Sequence, residues 1–106
     1  MKGTAINQKV REIVYERDSM DGVPCCILCG RPFTQVHHIV ERSRGGQAIP
    51  ENLVCLCYRC HRILHDTEDR SMKDVIRNYM KTHYKNWDES KLTKSRWEIL
   101  GGKIWD

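Results

Sequence analysis

The chain has 106 residues, a formal net charge of +4 at pH 7 and six cysteines. A single domain of this length buries only about two-thirds of the unfolded chain's surface, so its apolar core is thin. Because no apolar signal segment follows Met1 and nothing has the length of a membrane span, we expect a cytoplasmic protein without a membrane partner. A reducing compartment disfavours a disulfide framework and favours thiolates bound to metal.

The first predicted element is an amphipathic helix near the start of the chain. Its apolar residues recur at helical spacing: Ile6, Val10, Ile13 and Val14. Gly22 and Pro24 end the pattern. We expect this helix to cover the metal site described next.

Two Cys-x-x-Cys pairs, Cys26 with Cys29 and Cys57 with Cys60, bracket the middle of the chain. Each pair forms a tight knuckle that can aim two sulfurs at one ion, and two knuckles complete a tetrahedral zinc site. Structural zinc contributes roughly 10–16 kcal/mol in model peptides. The stability of a whole domain is about 5–15 kcal/mol, so the ion is expected to decide whether this chain folds. Cys25 lacks the two-residue spacing to Cys29 and is predicted to be a spare thiol.

A hairpin is predicted between the two knuckles. Residues 36–40 have the β-branched flanks of a short strand, and Gly45 with Gly46 supplies a turn. Residues 53–57 form the returning strand, with Cys55 buried on the same face as Leu53. After Cys57 the spacing becomes helical. The predicted order is therefore strand, strand, helix.

Four histidines lie on these elements and are not needed by a four-cysteine site. His37 and His38 are on the first strand, while His61 and His65 share one helical face at i and i+4. They indicate a second, functional metal site. Two other interpretations stay open: the histidines are ordinary surface or strand residues, or His61 replaces a cysteine in the structural site. Because neighbours on a regular strand point to opposite faces, His37 and His38 serve one site only if the strand twists there.

Beyond His65, Ser71-x-x-Asp74 is typical of a capping box that opens another helix. The apolar side of this helix is predicted to carry Val75, Ile76, Tyr79, Met80 and Tyr84. His83 is predicted to be structural. Residues 86–106 form an extension that we expect to pack on the domain, the alternative being contact with DNA or a protein partner. The whole chain, 1–106, is predicted to be one domain with its core motif at 25–66.

The ordered set of motifs resembles the HNH endonuclease family, especially small phage-encoded members with a four-cysteine zinc site. The resemblance covers about residues 10–66. Its carriers are Cys26-x-x-Cys29-Gly30, His37-His38-Ile39, Gly45-Gly46, the segment 52–57, and Cys60-His61 with His65. It implies an α+β fold, a small zinc-stabilised ββα-metal (His-Me finger) domain with flanking N- and C-terminal helices.

Position by position, the resemblance implies that His38 is the general base. Asn52 would hold the hairpin loop and orient the base, and His61 would bind the catalytic metal together with His37 and His65. Imidazole suits both roles, since its unperturbed pKa lies near neutrality and its neutral nitrogen binds Mn²⁺, Ni²⁺, Co²⁺ or Zn²⁺, with Mg²⁺ a further candidate.

Arginines near this motif are candidate phosphate contacts. They are Arg31, Arg42, Arg44, Arg59 and Arg62. Glu41 stands where many relatives have a small residue or proline, which we expect to alter the loop and not the chemistry. The expected contacts are mainly to the backbone, with weak sequence preference.

The resemblance implies a metal-dependent DNA endonuclease that nicks or cuts and leaves 5′-phosphate and 3′-hydroxyl ends. For a phage-encoded monomer, it further implies host cytoplasm and phage packaging (terminase) proteins as partners. The alternative is a non-catalytic zinc-dependent nucleic-acid-binding module, which would not need His38 beside a set of metal ligands.

Overall fold

Three helices and two small antiparallel sheets make up the computed structural model, which describes residues 6–32, 34–67 and 69–93. The helices are α1 (Gln8–Arg17), α2 (Tyr58–Thr67) and α3 (Arg70–His83). The strands are β1 (Ser19–Met20), β2 (Val23–Pro24), β3 (Thr34–His38) and β4 (Leu53–Cys57). Single 3-10 turns lie at Arg42–Arg44, Pro50–Asn52 and Glu89–Lys91. The predicted α+β class is confirmed, with the order β3, β4, α2 at the centre.

The β3–β4 hairpin is the centre of the fold. Its register pairs His37 with Val54 and His38 with Leu53, and all five residues of β4 are buried. The returning strand has the predicted bounds. The first strand ends at His38 and not at Val40, because the Val40 backbone bonds to the side chain of Asn52 and leaves the ladder.

Two apolar clusters lie on the two faces of β4. On one face Val14 of α1 packs with Leu53 and Cys55, which confirms the predicted burial of Cys55. The other cluster contains Val54 and Leu56 together with the buried residues of α2 and α3 and three of the paired cysteines. The prediction that α1 covers the metal site is therefore wrong. The apolar stripe of α1 is matched by Leu53 and Cys55, which point away from that cluster.

The start of α3 differs from the prediction. Asp69 is the N-cap and its side chain accepts a hydrogen bond from the Met72 backbone N–H at 3.1 Å. The predicted capping box at Ser71 and Asp74 is wrong, because Asp69 already caps the helix and Ser71 lies within its first turn.

The apolar side of α3 was predicted in part. Ile76 and Met80 are buried in the core, whereas Val75 is 48% exposed. Tyr84 is the C-cap residue after the helix. One residue of shift around the helix moves a side chain by about 100°, which is enough to carry Val75 to the solvent side.

A buried ion pair connects α1 to the hairpin and to α3. Arg17 Nε lies 2.7 Å from Asp18 Oδ1, with side chains 8% and 0% exposed. Arg17 also donates to the carbonyls of Pro50 at 2.8 Å and Leu53 at 2.6 Å. Asp18 accepts from the Cys55 N–H at 2.9 Å and from the Tyr79 hydroxyl. The pair is satisfied on all sides, so it fixes the turn that leads into β4.

The described part of the extension packs on the domain. Trp87 and Leu92 are buried in the core, and Trp87 Nε1 donates to the Glu51 carbonyl at 2.7 Å. The rest of the extension, 94–106, lies outside the described residues. In the ranges that the structure describes, every helix is too short or too polar to cross a bilayer.

Candidate functional site

The four cysteines predicted as ligands come together at the base of the hairpin. The sulfurs of Cys26, Cys29, Cys57 and Cys60 all lie within 4.8 Å of one another. Cys29 Sγ and Cys57 Sγ are 3.5 Å apart. Zinc–sulfur bonds of about 2.3 Å place the sulfurs of a tetrahedral site about 3.8 Å apart. Four sulfurs at this spacing fit one zinc ion.

Both knuckles supply backbone donors to their sulfurs. The N–H of Leu28 lies 3.4 Å from Cys26 Sγ, and the N–H of Cys60 lies 3.3 Å from Cys57 Sγ. Gly30 closes the first knuckle with a φ of 81° and an N–H bond to the Cys26 carbonyl at 2.8 Å. Only glycine adopts this φ without a steric cost.

The pKa values of the clustered thiols are consistent with a bound cation. Burial alone would raise the pKa of Cys57, but hydrogen bonds from the Cys60 N–H and from neighbouring cysteines outweigh it and lower the pKa to about 7. Burial and the adjacent thiols raise the pKa of Cys60. A bound metal ion removes this conflict because it deprotonates the thiols that coordinate it.

Cys25 is separate from the cluster, as predicted. It is buried, and its thiol donates to the Val23 carbonyl at 3.1 Å. This hydrogen bond gives the thiol a structural partner away from the metal.

A cleft of about 430 Å³ opens beside the hairpin. His37 and His38 both line it, so these strand neighbours do serve one cavity. This is possible because His38 is the last residue of β3, where the ladder ends. Further lining residues come from the loop (Glu41, Arg44), from α2 (Leu64, His65), from α3 (Lys73, Ile76, Arg77) and from the last turn (Glu89).

The candidate ligands of a catalytic metal approach one another less closely than the cysteines. The rings of His37 and His61 are 5.1 Å apart between centroids at an interplanar angle of 74°. The rings of His61 and His65 are 6.5 Å apart. His65 is 72% exposed, and its Nδ1 lies 3.7 Å from Asp66 Oδ1. Among the described residues, the 4.8 Å spacing is reached by the cysteine set and not by the three histidines.

Two of these histidines, His37 and His61, have lowered pKa values, which favours the neutral form. Burial, reinforced by His61, His38 and His65, lowers the pKa of His37 to about 4. Burial and then His65 lower the pKa of His61. A neutral imidazole offers the lone pair that a metal ion requires. His37 and His61 therefore have the protonation state that binding of a divalent cation requires.

His38 has an unusual environment. Burial and the charge of Arg42 lower its pKa. Its Nε2 is buried and makes no hydrogen bond within the described part of the chain. Buried polar atoms without a partner are rare in native proteins and indicate a ligand or water at that place. His38 thus lines the cleft and carries a buried nitrogen that has no hydrogen-bond partner among the described residues.

Asn52 fixes the loop that follows His38. Its side chain is fully buried. Oδ1 accepts from the Val40 N–H at 2.8 Å, and Nδ2 donates to the carbonyls of Val40 at 3.1 Å and Gln47 at 2.8 Å. The Asn52 carbonyl accepts from the Ile39 N–H at 2.8 Å. Both ends of the loop are therefore tied to one residue.

The two glycines of this loop are required for different reasons. Gly45 has a φ of 88°, which is the left-handed region. Gly46 packs against the backbone of Val40, and a Cβ there would lie 1.8 Å from the Val40 carbonyl oxygen. Only glycine permits this approach of the two backbones.

The predicted arginines divide between the cleft and the surface. Arg44 lines the cleft, and Arg42 acts on His38 through its charge. Arg31, Arg59 and Arg62 are exposed and do not line it. Arg62 Nε lies 3.8 Å from Asp66 Oδ2.

Lys73 and Arg77 of α3 line the cleft and were missed by the sequence analysis. A signal existed, since Lys73 and Arg77 share one helical face at i and i+4, and Lys73 lies three residues before the core residue Ile76.

Comparison with known proteins gives one family and one relative. Residues 26–67 match the family described as HNH endonuclease. The Type IV methyl-directed restriction enzyme EcoKMcrA of Escherichia coli (strain K12) is 47% identical over 47 residues, which cover 44% of this chain and 16% of that enzyme. This chain therefore spans only a small part of its relative's length. The resemblance inferred from the sequence is confirmed for the segment that carries the cysteines and the histidines.

Proposed function

We propose that this chain, in which residues 26–67 match the HNH endonuclease family, is a metal-dependent endonuclease that hydrolyses phosphodiester bonds in DNA. We treat 1–106 as one nuclease domain that nicks or cuts with little sequence preference. The observation that carries the proposal is the buried Nε2 of His38, which has no hydrogen-bond partner among the residues that the structure describes, on a side chain that lines the same cleft as His37.

His38 is the general base in this mechanism. Hydrolysis requires water to lose a proton near neutral pH, and a lowered pKa keeps His38 neutral and able to accept it. The proton goes to Nε2, which has no hydrogen-bond partner in the described part of the chain. Asn52 acts on His38 only indirectly, because its hydrogen bonds fix the backbone of the next two residues, Ile39 and Val40.

His37, His61 and His65 would hold a divalent cation. When bound there, such a cation stabilises charge on a non-bridging phosphate oxygen and on the departing 3′ oxygen. The neutral state of His37 and His61 and the 5.1 Å separation of their rings support this assignment. His65 must turn away from Asp66 to join them.

Arginine side chains position the phosphate beside the base. Arg44 lines the cleft and Arg42 is close enough to lower the pKa of His38. Arg31 and Arg62 remain predicted contacts to more distant backbone phosphates. Attack of water on phosphorus breaks the bond to the 3′ oxygen, which takes a proton from solvent, and leaves a 5′-phosphate and a 3′-hydroxyl. Zinc at the four cysteines maintains the fold and takes no part in this step.

The biological setting is proposed from family resemblance alone. It comprises a phage origin, action in the host cytoplasm as a monomer, and partnership with phage packaging (terminase) proteins. The alternative function, a zinc-dependent nucleic-acid-binding module, would use the cysteine cluster and the arginines. It gives no reason for a His38 with a lowered pKa whose buried Nε2 has no partner within the described ranges.

A plasmid-nicking assay with matched histidine variants tests the proposal. Wild type, His38→Ala and His83→Ala are compared on supercoiled plasmid with Mn²⁺, Ni²⁺, Co²⁺, Zn²⁺ or Mg²⁺. His83 is the control because it is exposed and stacks on Tyr79, away from the cleft. A positioned base contributes roughly 10²–10⁴-fold in rate, so His38→Ala should lose activity in that range while His83→Ala retains it.

Gel-shift affinity distinguishes the two candidate functions. His38→Ala should bind DNA with the wild-type salt dependence, because no phosphate-neutralising charge is removed. Wild-type nicking by His38→Ala would refute its role as the base. DNA binding without nicking by wild type with every metal would favour the binding module.

A further inference from the structure

The part of the chain that follows α3 returns to the loop between β3 and β4, although it lies outside the segment matched to the family. We call residues 87–93 the closing segment. Two of its apolar side chains, Trp87 and Leu92, are 9% and 3% exposed and belong to the buried cluster that contains residues of β4. It is also attached to α3, because Glu89 Oε1 accepts a hydrogen bond from Arg77 Nε at 2.8 Å. The closing segment is therefore held in place by packing and by an ion pair.

Backbone hydrogen bonds join the closing segment to the second half of the loop. The Gln47 N–H donates to the Leu92 carbonyl at 3.0 Å, and Gly46 forms an antiparallel bridge with Thr93. The Gln47 carbonyl is also bonded, since it accepts from Asn52 Nδ2 at 2.8 Å. Both polar backbone groups of Gln47 are thus satisfied, one by the closing segment and one by the residue that fixes the loop.

Trp87 holds the turn that carries Asn52. Its Nε1 donates to the carbonyl of Glu51, the residue before Asn52, at 2.7 Å. The carbonyl of Pro50 in the same turn accepts from Arg17 Nη1 at 2.8 Å. An indole N–H is a donor only, so it suits a carbonyl acceptor in the core. Two side chains from outside the family-matched segment therefore fix this turn.

The position of Asn52 matters because this residue connects the turn to the loop after His38. Its side chain exchanges hydrogen bonds with the Val40 backbone at 2.8 and 3.1 Å, and its carbonyl accepts from the Ile39 N–H at 2.8 Å. Ile39 directly follows His38 in the sequence, and both residues line the cleft. A shift of the turn would therefore move the backbone beside His38.

We infer that the closing segment, through Trp87 and Leu92, holds the loop after His38 in the arrangement that hydrolysis requires. This inference rests on the proposed function. Trp87 is a positioning residue in this scheme, because it acts on His38 through the turn that carries Asn52. The nuclease then depends on residues beyond the segment that the family match covers.

The test uses the full-length, zinc-loaded protein and three single variants. Trp87→Phe keeps an aromatic ring in the core and removes the donor to the Glu51 carbonyl. Leu92→Val loosens the same segment at its second point of contact. Met80→Ala is the control for general loss of stability, since Met80 is fully buried on α3 and does not line the cleft. Plasmid nicking is measured as kcat and KM at a temperature where circular dichroism shows every variant to be folded.

Trp87→Phe should lower kcat about tenfold, because a misplacement of about 1 Å at a reacting group can cost roughly a hundredfold. Its KM should stay within about twofold of wild type, since no phosphate-binding charge is removed. Leu92→Val should lower kcat in the same direction by a smaller factor, and Met80→Ala should keep the wild-type kcat.

A double-mutant cycle with His38→Ala separates positioning from a merely structural role. If Trp87 acts by placing His38, Trp87→Phe should lower the residual kcat of His38→Ala by less than about twofold. A further tenfold loss in that background would overturn the inference, because Trp87 would then act independently of His38.

Two other results would also overturn it. One is a wild-type kcat in both Trp87→Phe and Leu92→Val. The other is an equal fall of kcat in Met80→Ala, since the effect would then follow stability. Failure of the wild-type protein to nick DNA with any metal would instead refute the proposed function itself.

Discussion

Asn52 and Val40 exchange hydrogen bonds in both directions across the hairpin loop. The Val40 N–H donates to Asn52 Oδ1 at 2.8 Å, and Asn52 Nδ2 donates to the Val40 carbonyl at 3.1 Å. The side-chain amide of Asn52 thus makes the pair of hydrogen bonds to Val40 that a neighbouring strand would make, although Val40 lies beyond the end of β3. Aspartate offers no donor and alanine offers no polar group, so asparagine is specified here by its chemistry.

Replacing Asn52 by alanine should destabilise the protein and reduce nicking. The change leaves the Val40 N–H and the carbonyls of Val40 and Gln47 without their partner, and each buried unsatisfied group costs about 1–3 kcal/mol. We expect the free energy of unfolding to fall by about 3 kcal/mol after partial relaxation. Urea unfolding measures the loss. Asn78→Ala, at an exposed position of α3, should change it by less than about 0.5 kcal/mol; equal values for the two variants would contradict the role of Asn52.

Cys57→Ser should prevent folding. It removes one of four sulfurs from a site whose metal contributes roughly 10–16 kcal/mol in model peptides. Cys25→Ser should fold, because a hydroxyl can also donate to the Val23 carbonyl that Cys25 contacts. His61→Ala should fold as well, since His61 is not one of the four cysteine ligands and its proposed role is in the other site. Circular dichroism and zinc content check all three, and a native, zinc-loaded Cys57→Ser protein would disprove the four-cysteine site.

Spacing in the sequence predicted the features that depend on local geometry. A Cys-x-x-Cys pair brings two sulfurs together, and a strand that follows a glycine turn returns beside the strand before it. The four cysteines, β4 and the buried Cys55 were predicted for this reason.

Long-range packing was beyond reach of the same reasoning. The apolar stripe of α1 could pack on either face of β4. In the structure it packs on the face of Leu53 and Cys55, where Arg17 and Asp18 also bond to the backbone of β4. Likewise, the spacing of α3 indicated a buried face but not that Lys73 lies at the histidine cleft. Sequence spacing also could not give the 5.1 Å between the rings of His37 and His61, because the two residues lie on separate elements, β3 and α2.

The catalytic metal is expected to be a borderline transition metal. A site with imidazole ligands favours Mn²⁺, Co²⁺, Ni²⁺ or Zn²⁺, whereas Mg²⁺ prefers oxygen. We predict faster nicking with Mn²⁺ or Ni²⁺ than with Mg²⁺ at equal concentration, measured on protein whose cysteine site is already filled with zinc. His65→Ala should weaken metal affinity without unfolding. Superior activity with Mg²⁺ would show that His37 or His65 is not a ligand.

The pH dependence of nicking should reflect the environment of His38. Burial and then Arg42 lower its pKa from the usual 6.5. The base form therefore predominates at pH 6.5, and kcat/KM should be level above that pH and fall only as the pH drops below it. The pKa of His37 is lowered to about 4, so it stays neutral through the same range. Between pH 6.5 and 4 the unfolded chain binds more protons than the native chain. The free energy of unfolding therefore also falls as the pH drops through this range, and folding must be monitored there.

Removing the charge of Arg42 tests which histidine causes the fall of kcat/KM at low pH, the acid limb of the pH profile. Arg42→Gln should raise the pKa of His38 and move the limb to higher pH, because the cation that opposes protonation is gone. Arg31→Gln, a change of equal charge at the exposed end of the first knuckle, should leave the limb in place. Either arginine can also contribute to DNA affinity and so change the plateau value of kcat/KM. The measurement is therefore the pH at which kcat/KM falls, taken at saturating metal, and not the plateau value. A limb that lies above pH 6.5 in wild type, or that shifts equally in both variants, would mean that His38 is not the group that accepts the proton.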